Sequence, residues 1–471
     1  MLKQIISPAD KNSTFLSTAD DKVTWNELDE RLDEKVSILK EHGLSSHVIF
    51  IIQENDKITI DDLLWILASI KNGGSASNGE DKATQKELDY LIKGSNANCV
   101  IRSNNIEIVK DPSLGSTKMH SNEIFRGMTS GTTVKEMFEI YPYFWTFEDH
   151  INSEIDGQTL LGCTPESCNQ MLLNVAPEFN GYQDERPILL QPSGFTSTYS
   201  PYNVLRAYQI GATMHHLNIG DDVVKELERS KANCIISFPN AVKRIIDELP
   251  EGRKFDIKYI ECGGGFTPEN LIKDIERKCN IKVLYNMFGS TEMDCVMQSV
   301  FKPGDPVDNF YGLEVVDSKY YKVKIEDGML WYKYGTLPWR TDYDKFVVKD
   351  GKYFYDGRAN DDILIVKSGT KIYTGVVEAV ALEVGDIDYV ASCEQDKLHY
   401  LIYTGKADIN QVADKMRELQ RYKRPHEIYH VTEELYYSGS VKIQKRKLPS
   451  IVKSATQGII SHLNIKDHDL I

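Results

Sequence analysis

Helical patterns alternate with short apolar runs along most of this chain, and that alternation limits its fold more than any other feature. "SHVIFIIQEN" is an unbroken apolar run with the length of a fully buried strand. "TIDDLLWILASIKNGG" follows as a helix pattern that stops at Gly73-Gly74. The same order, helix then strand, returns in "QKELDYLIKGSNANCVI", "VVKELERSKANCIISFP" and "ENLIKDIERKCNIKVLYN". Strands buried on both faces and joined by helices imply parallel sheets covered by those helices. Ahead of them, "KVTWNELDERLDEKVSILKEHG" reads as a strand end and an amphipathic helix. Thr24 and Glu27 are spaced for a capping box, and Gly43 marks the C-terminal stop.

Beyond Phe301 the texture changes. "YYKVKIEDGMLWYKYG" and "DKFVVKDGKYFYDG" are β-rich, with Asp350-Gly351 at a hairpin turn. A small α+β unit follows in "VVEAVALEVGDIDYVASCEQDKLHYLIYTG" and the helix "NQVADKMRELQRYK". The polar cluster "DGRANDD" separates the two textures, so the expected division is a large α/β domain over 1–356 and a small α+β domain over 357–471.

A chain of 471 residues can bury more than one core. Its 41% hydrophobic and 27% charged content is that of a globular protein, and a net charge of −15 argues against a nucleic-acid surface. No apolar run approaches the ~20 residues of a membrane span, and "MLKQIISPADKNSTF" lacks the apolar core of a signal peptide. A cytoplasmic protein without membrane or nucleic-acid partners is expected. Of the eight cysteines only Cys163 and Cys168, in "CTPESC", are close together. No second pair stands at ligand spacing, so reduced buried thiols are expected rather than zinc. His215 and His216, adjacent on a strand pattern, would face opposite ways and could not chelate together.

"GMTSGTTVKEM", Gly127 to Met137, crowds hydroxyls and glycines into one loop. Glycine frees backbone N–H groups, and Ser/Thr hydroxyls beside them complete a cradle for phosphate oxygens. The stretch is not a Walker loop, which needs Gly-x-x-x-x-Gly-Lys-Ser/Thr. "TSGTT" instead resembles the phosphate loop of the acyl-adenylating (ANL) superfamily: acyl-CoA synthetases, adenylation domains of nonribosomal peptide synthetases, and luciferases. Further segments resemble that family in its own order: "VTWNELDERLDEKVSILKEHG", "LASIKNGG", "CGGGFTPENLIKDIERKCNIKVLYNMFGSTEMD", "WRTDYD", "DGRANDDILIVKSGTKIYTGVVE" and "LYYSGSVKIQKRKL". The likeness spans essentially the whole chain.

The resemblance implies an AMP-binding ligase that activates a carboxylic acid with ATP and Mg²⁺ to acyl-AMP and pyrophosphate. A thiol, CoA or a carrier-protein phosphopantetheine, then takes the acyl group. Two anions must meet, so the site must supply positive charge and oriented donors. By resemblance Thr129, Ser130, Gly131, Thr132 and Thr133 hold the β- and γ-phosphates, Thr291 contacts the α-phosphate, and Glu292 ligates Mg²⁺. Gly263, Gly264 and Gly265 let backbone approach adenine, and Phe288 offers it a flat face. The ribose carboxylate is Asp342 or Asp344: adjacency to Thr341 favours the first, spacing to Gly357-Arg358 the second. Arg358 reaches ribose or phosphate, Asn360 sits at the hinge, and Lys442 stands where the family keeps its catalytic lysine on a mobile domain. The implied acid pocket is Phe195, Thr198, Tyr202, Cys262, Met287, Cys295 and Val296. Its segment "SGFTSTYSPYN" contains no acidic residue for a substrate ammonium, which points to an aryl or aliphatic acid rather than an α-amino acid.

The sequence also departs from the pattern. Val134, Lys135, Glu136 and Met137 replace the family's Gly-x-Pro-Lys, Asn360 replaces an Asp, Val441 a Gly, and Lys445 an Arg. The chain reaches Ile471 with no room for a carrier domain after Lys442, so a carrier is expected to act in trans. The alternatives are a non-catalytic relative that binds an acyl or nucleotide ligand, and an enzyme that passes its adenylate to a non-thiol acceptor.

Overall fold

The structure is a computed structural model. It describes residues 7–8, 10–53, 57–80, 85–118, 123–126, four short pieces within 145–162, 187–192, 199–264, 267, 269–290, 294–316, 321–334, 339, 341, 344–358, 363–366, 371–432, 448–454 and 459–465. Their contacts divide the chain into a larger unit up to Asp356 and a smaller one from Gly357 onward, with the strand Lys352–Arg358 crossing that point.

The larger unit is built on a nine-stranded sheet. Its order is Glu314–Val315, Asp294–Phe301, Val283–Ser290, Tyr259–Gly263, Cys234–Ser237, Ile188–Gln191, Thr213–His216, Thr14–Ser17 and Lys22–Thr24. The six strands from Val283–Ser290 to Thr14–Ser17 run parallel, and each strand beyond them on either edge pairs antiparallel with its inner neighbour. Side chains alternate between the faces of a strand, and the two apolar clusters follow that alternation. Leu190, Ile235, Ile260 and Leu284 pack with the helices Val223–Ser230, Pro239–Glu248 and Glu269–Lys278. Leu189, Cys234, Tyr259 and Val283 pack on the other face with Val204 and Ala207 of the helix Tyr199–Ile210, in a cluster that extends to Trp25–Glu41 and Ile60–Lys71.

A second sheet, in the order Ser75–Glu80, Val48–Gln53, Cys99–Arg102 and Asn105–Ile108, holds the all-buried strand Val48–Gln53. Both long helices of this region start in capping boxes. Glu27 N–H donates to Thr24 Oγ1 (3.3 Å) and Thr24 N–H to Glu27 Oε2 (2.8 Å); Thr59 and Asp62 repeat the exchange. Each such cap stabilises by roughly 1 kcal/mol. A third, four-stranded sheet runs Tyr321–Glu326, Met329–Tyr334, Asp344–Lys349 and Lys352–Arg358. Its tight turns, Asp327-Gly328 (φ 52° and 75°) and Asp350-Gly351 (φ 53° and 77°), place two consecutive residues in the left-handed region, as hairpin twist requires.

The smaller unit is α+β. Its sheet runs Ile387–Gln395, Leu398–Gly405, Glu427–Val431 and Ile459–Asn464, and its core joins Ala391, Tyr400, Ile402, Tyr429 and Val452. The helix Ile409–Arg417 lies between the two strands that pair in parallel. The chain is therefore mixed α/β, with helix-covered sheets in the larger unit and a small α+β unit after it. Among the described residues no helix is long and apolar enough to cross a membrane.

Candidate active site

In a parallel sheet, residues in register share a face. One row runs His216, Gln191, Glu261 and Tyr285: His216 pairs with Gln191, and Glu261 with both Ile236 and Tyr285. The row lies one pleat step beyond the apolar set Met214, Leu189, Cys234, Tyr259 and Val283, toward the carboxyl ends of the strands, where ligand crevices of open α/β sheets form. All four side chains are buried. The helix Tyr199–Ile210 meets the row with polar groups of its own. Asn203 Nδ2 donates to Gln191 Oε1, and Arg206 Nη1 lies 3.2 Å from Glu261 Oε2.

Burial pushes the Glu261 carboxyl up, and the Arg206 charge only partly offsets it. Burial also drives His216 down to about 3, with His215 and Arg244 adding to the effect, so its imidazole is neutral at ordinary pH.

Two residues further along, Gly263 pairs with Met287, and Phe288 follows. Gly264 has φ +73°, and a Cβ there would stand 2.7 Å from the ring of Phe238, so only glycine serves. Phe288 meets Phe346 edge-on at 4.9 Å and Tyr355 at 5.6 Å. Tyr355 in turn donates from its hydroxyl to Asp344 Oδ1 (3.3 Å), and Asp344 is buried at the head of its strand. The structure thus joins two residues chosen from sequence, Phe288 and Asp344, through Phe346 and Tyr355, which the sequence did not single out.

Cys262 and Met287 do not share a wall. Cys262 belongs to the cluster under Pro239–Glu248 and Glu269–Lys278, whereas Met287 and Val296 lie in the opposite one, with Cys295 packed against it. Tyr202 is on the helix Tyr199–Ile210, and Arg358 ends the strand Lys352–Arg358. Thr129, Ser130, Gly131, Thr132, Thr133, Phe195, Thr198, Gly265, Thr291, Glu292, Asp342, Asn360 and Lys442 lie outside the described residues.

Cys99, Cys262 and Cys279 are free thiols pushed up to about 12 by burial. Among the described residues no group of three or more His, Cys, Asp or Glu could hold a metal ion. Sequence reasoning missed Arg206, Glu261, Gln191 and Phe238. The signal was present: a Glu and a Gln in otherwise apolar buried strands need partners.

No family model matches the chain, and no curated protein sequence does. Solved structures do. The o-succinylbenzoate CoA synthetase from Bacillus subtilis, bound with a product analogue, superposes with a TM-score of 0.71 at 16% identity, covering 95% of this chain and 97% of that one. A K483A mutant of an amide bond synthetase from Marinactinospora thermotolerans gives 0.71 at 14% identity, with 96% and 98% covered. A malonyl-CoA ligase with methylmalonyl-CoA and AMP bound gives 0.66 at 16%, with 91% and 98% covered. At these identities the likeness shows the fold, which this chain shares with two CoA-forming ligases and an amide bond synthetase.

Proposed function

We propose that this protein activates a carboxylic acid with ATP, forming acyl-AMP and pyrophosphate, and then transfers the acyl group. The observation that carries the reading is the set formed by Phe288, Phe346, Tyr355 and Asp344 next to the end of the Gly263 strand. A partly buried aromatic ring, a glycine strand end and a buried carboxylate suit the base and the ribose of a nucleotide. Asp344 is the ribose carboxylate in this reading, with Arg358 beside ribose or phosphate.

Thr129 to Thr133 hold the β- and γ-phosphates, and Thr291 contacts the α-phosphate. Glu292 would hold Mg²⁺, which supplies charge neutralisation between carboxylate and phosphate. Lys442, carried by the smaller unit from residue 357 on, bridges the two anions as charge develops. Asn360 flanks the hinge about which that unit reorients between half-reactions. Met287, Val296 and Cys295, with Phe195, Thr198 and Tyr202, surround the acid.

Substrate class follows from charge. "SGFTSTYSPYN" offers no carboxylate, and the nearby buried one, Glu261, is already paired with Arg206. An ammonium would enter uncompensated, so the acid is aryl or aliphatic. The acceptor is a thiol, CoA or a carrier-protein phosphopantetheine; a product analogue bound to one similar enzyme and methylmalonyl-CoA bound to another support it. A second reading, transfer to an amine, is favoured by the likeness to the amide bond synthetase.

The test is acid-dependent ATP–pyrophosphate exchange across aryl, aliphatic and amino acids. Lys442→Ala should lower it by at least ~10²-fold, the scale of one lost electrostatic stabiliser. Transfer from preformed acyl-AMP to CoA should suffer far less. Equal losses in both half-reactions would overturn the role of Lys442, and exchange driven by no acid would overturn the activity. Product analysis with CoA, with amines and with neither separates the acceptors.

A further inference from the structure

The helix Tyr199–Ile210 turns an unusual side to the sheet. A helix laid on a buried sheet normally presents apolar residues. Here Asn203, Arg206 and Gln209, spaced three apart, are 2%, 8% and 2% exposed. Asn203 and Arg206 meet the strand row that contains Gln191 and Glu261. Within this layer three buried atoms have no hydrogen-bond partner among the described residues: Gln191 Nε2, His216 Nδ1 and the Tyr285 hydroxyl. Buried polar groups are rarely left unpaired, and each such group forfeits its hydration.

The chemistry of these groups is specific. The Gln191 amide and the Tyr285 hydroxyl are donors, and a neutral imidazole gives or accepts one bond. Arg206 and Glu261 balance each other's charge. Such a layer suits an uncharged oxygen rather than an ammonium or a second carboxylate. Its depth is also set. Gly263 and Met287 lie two residues nearer the carboxyl ends on the same face, about 6.6 Å along the strand. That step is close to the length of an aromatic ring with its para substituent.

We infer that this layer is the far end of the acid pocket, and that it selects an aryl acid bearing a hydroxyl or keto oxygen across the ring from its carboxylate. The inference rests on the acid activation proposed above. Tyr285 and Gln191 donate to that oxygen, and Asn203 holds the Gln191 amide in orientation.

The test measures pyrophosphate exchange by the full chain with benzoate, 4-hydroxybenzoate, 4-acetylbenzoate, 4-(aminomethyl)benzoate and terephthalate. The hydroxy or acetyl acid should exceed benzoate in kcat/KM by about tenfold, and both doubly charged acids should fall below it. Tyr285→Phe should cut the preference for the oxygen-bearing acid over benzoate by about tenfold, the scale of one hydrogen bond. Its melting temperature should be unchanged or higher, because the hydroxyl removed has no partner. Gln191→Leu should shift the same ratio in the same direction. Exchange with benzoate at or above the substituted acids would overturn the inference and leave acid activation standing, as would a ratio that neither variant moves. Exchange with no acid at all would overturn acid activation, and this inference with it.

Discussion

His215 and His216 are neighbours on one strand, yet they meet opposite environments. His215 faces the side packed by Val223–Ser230. Its Nδ1 lies 2.8 Å from Ser17 Oγ, its Nε2 lies 3.0 Å from Glu226 Oε2, and Arg229 pairs with that same glutamate. His216 faces the side covered by Tyr199–Ile210, and its Nδ1 has no partner among the described residues. The row containing His215 continues as Leu190, Ile235, Ile260 and Leu284, while that of His216 continues through Gln191, Glu261 and Tyr285. The His216 row leaves His216 Nδ1, Gln191 Nε2 and the Tyr285 hydroxyl without hydrogen-bond partners among the described residues, whereas the His215 row leaves His215 Nε2, which still lies 3.0 Å from Glu226 Oε2.

The sharpest way to break this contrast is through the charged pair on the incomplete face. Arg206→Leu would leave Glu261 buried without its counter-charge. Urea unfolding should show a loss of about 3–5 kcal/mol, and the double variant Arg206→Leu/Glu261→Leu should recover most of it, because a buried pair adds little net stability. If the double variant stays as unstable as the single one, the pair is a strut and the two faces are alike.

The histidines themselves sharpen the comparison next. His215→Leu removes the partner of Ser17 and a neighbour of Glu226, so it should cost about 1–3 kcal/mol at pH 7. His216→Leu removes a ring whose Nδ1 makes no hydrogen bond, and should cost much less while harming exchange activity. Similar losses from both would mean that His216 is as well satisfied as its neighbour.

Much of this fold was legible because local signals agreed with the tertiary outcome. The run "SHVIFIIQEN" could only be a buried strand, Thr24 and Glu27 do form the capping box their spacing suggested, and Asp350-Gly351 does turn a hairpin. The link between Phe288 and Asp344 was readable only through motif order, since they stand 56 positions apart and neither has a local pattern that names the other. Arg206 and Glu261 were missed for a related reason. They stand 55 positions apart, with two strands and two helices between their own elements, and only the register of parallel strands brings them together. Strand register also divides Cys262 from Met287, which sequence reasoning had set in one pocket. Alternation within a strand is visible in sequence, but which residue of the next strand stands opposite is not.

The smallest expected effect, read per pH unit, is acid sensitivity, and its sign can be worked out group by group. His215 is held down to about 4, chiefly by burial, with Arg229 adding and Glu226 opposing; His216 is held down to about 3. Below the unfolded value of about 6.5, the unfolded chain takes up protons that the native chain refuses. Stability is therefore full above pH 6.5 and falls as pH drops toward 4, by about 1.4 kcal/mol per unit for each histidine. Glu261 works the other way, since a carboxyl held above its unfolded value favours the native state as pH falls through the raised value. Its effect therefore opposes the slope set by the histidines. His399 in the smaller unit, also driven down to about 3, adds the same slope to every variant and cancels in a comparison. Unfolding free energies measured between pH 7 and 4.5 should therefore flatten by about one histidine's share in His215→Leu and again in His216→Leu. A slope unchanged by His216→Leu would mean that its ring takes a proton in the folded state, and a face able to accommodate that charge would not be the uncharged layer described here.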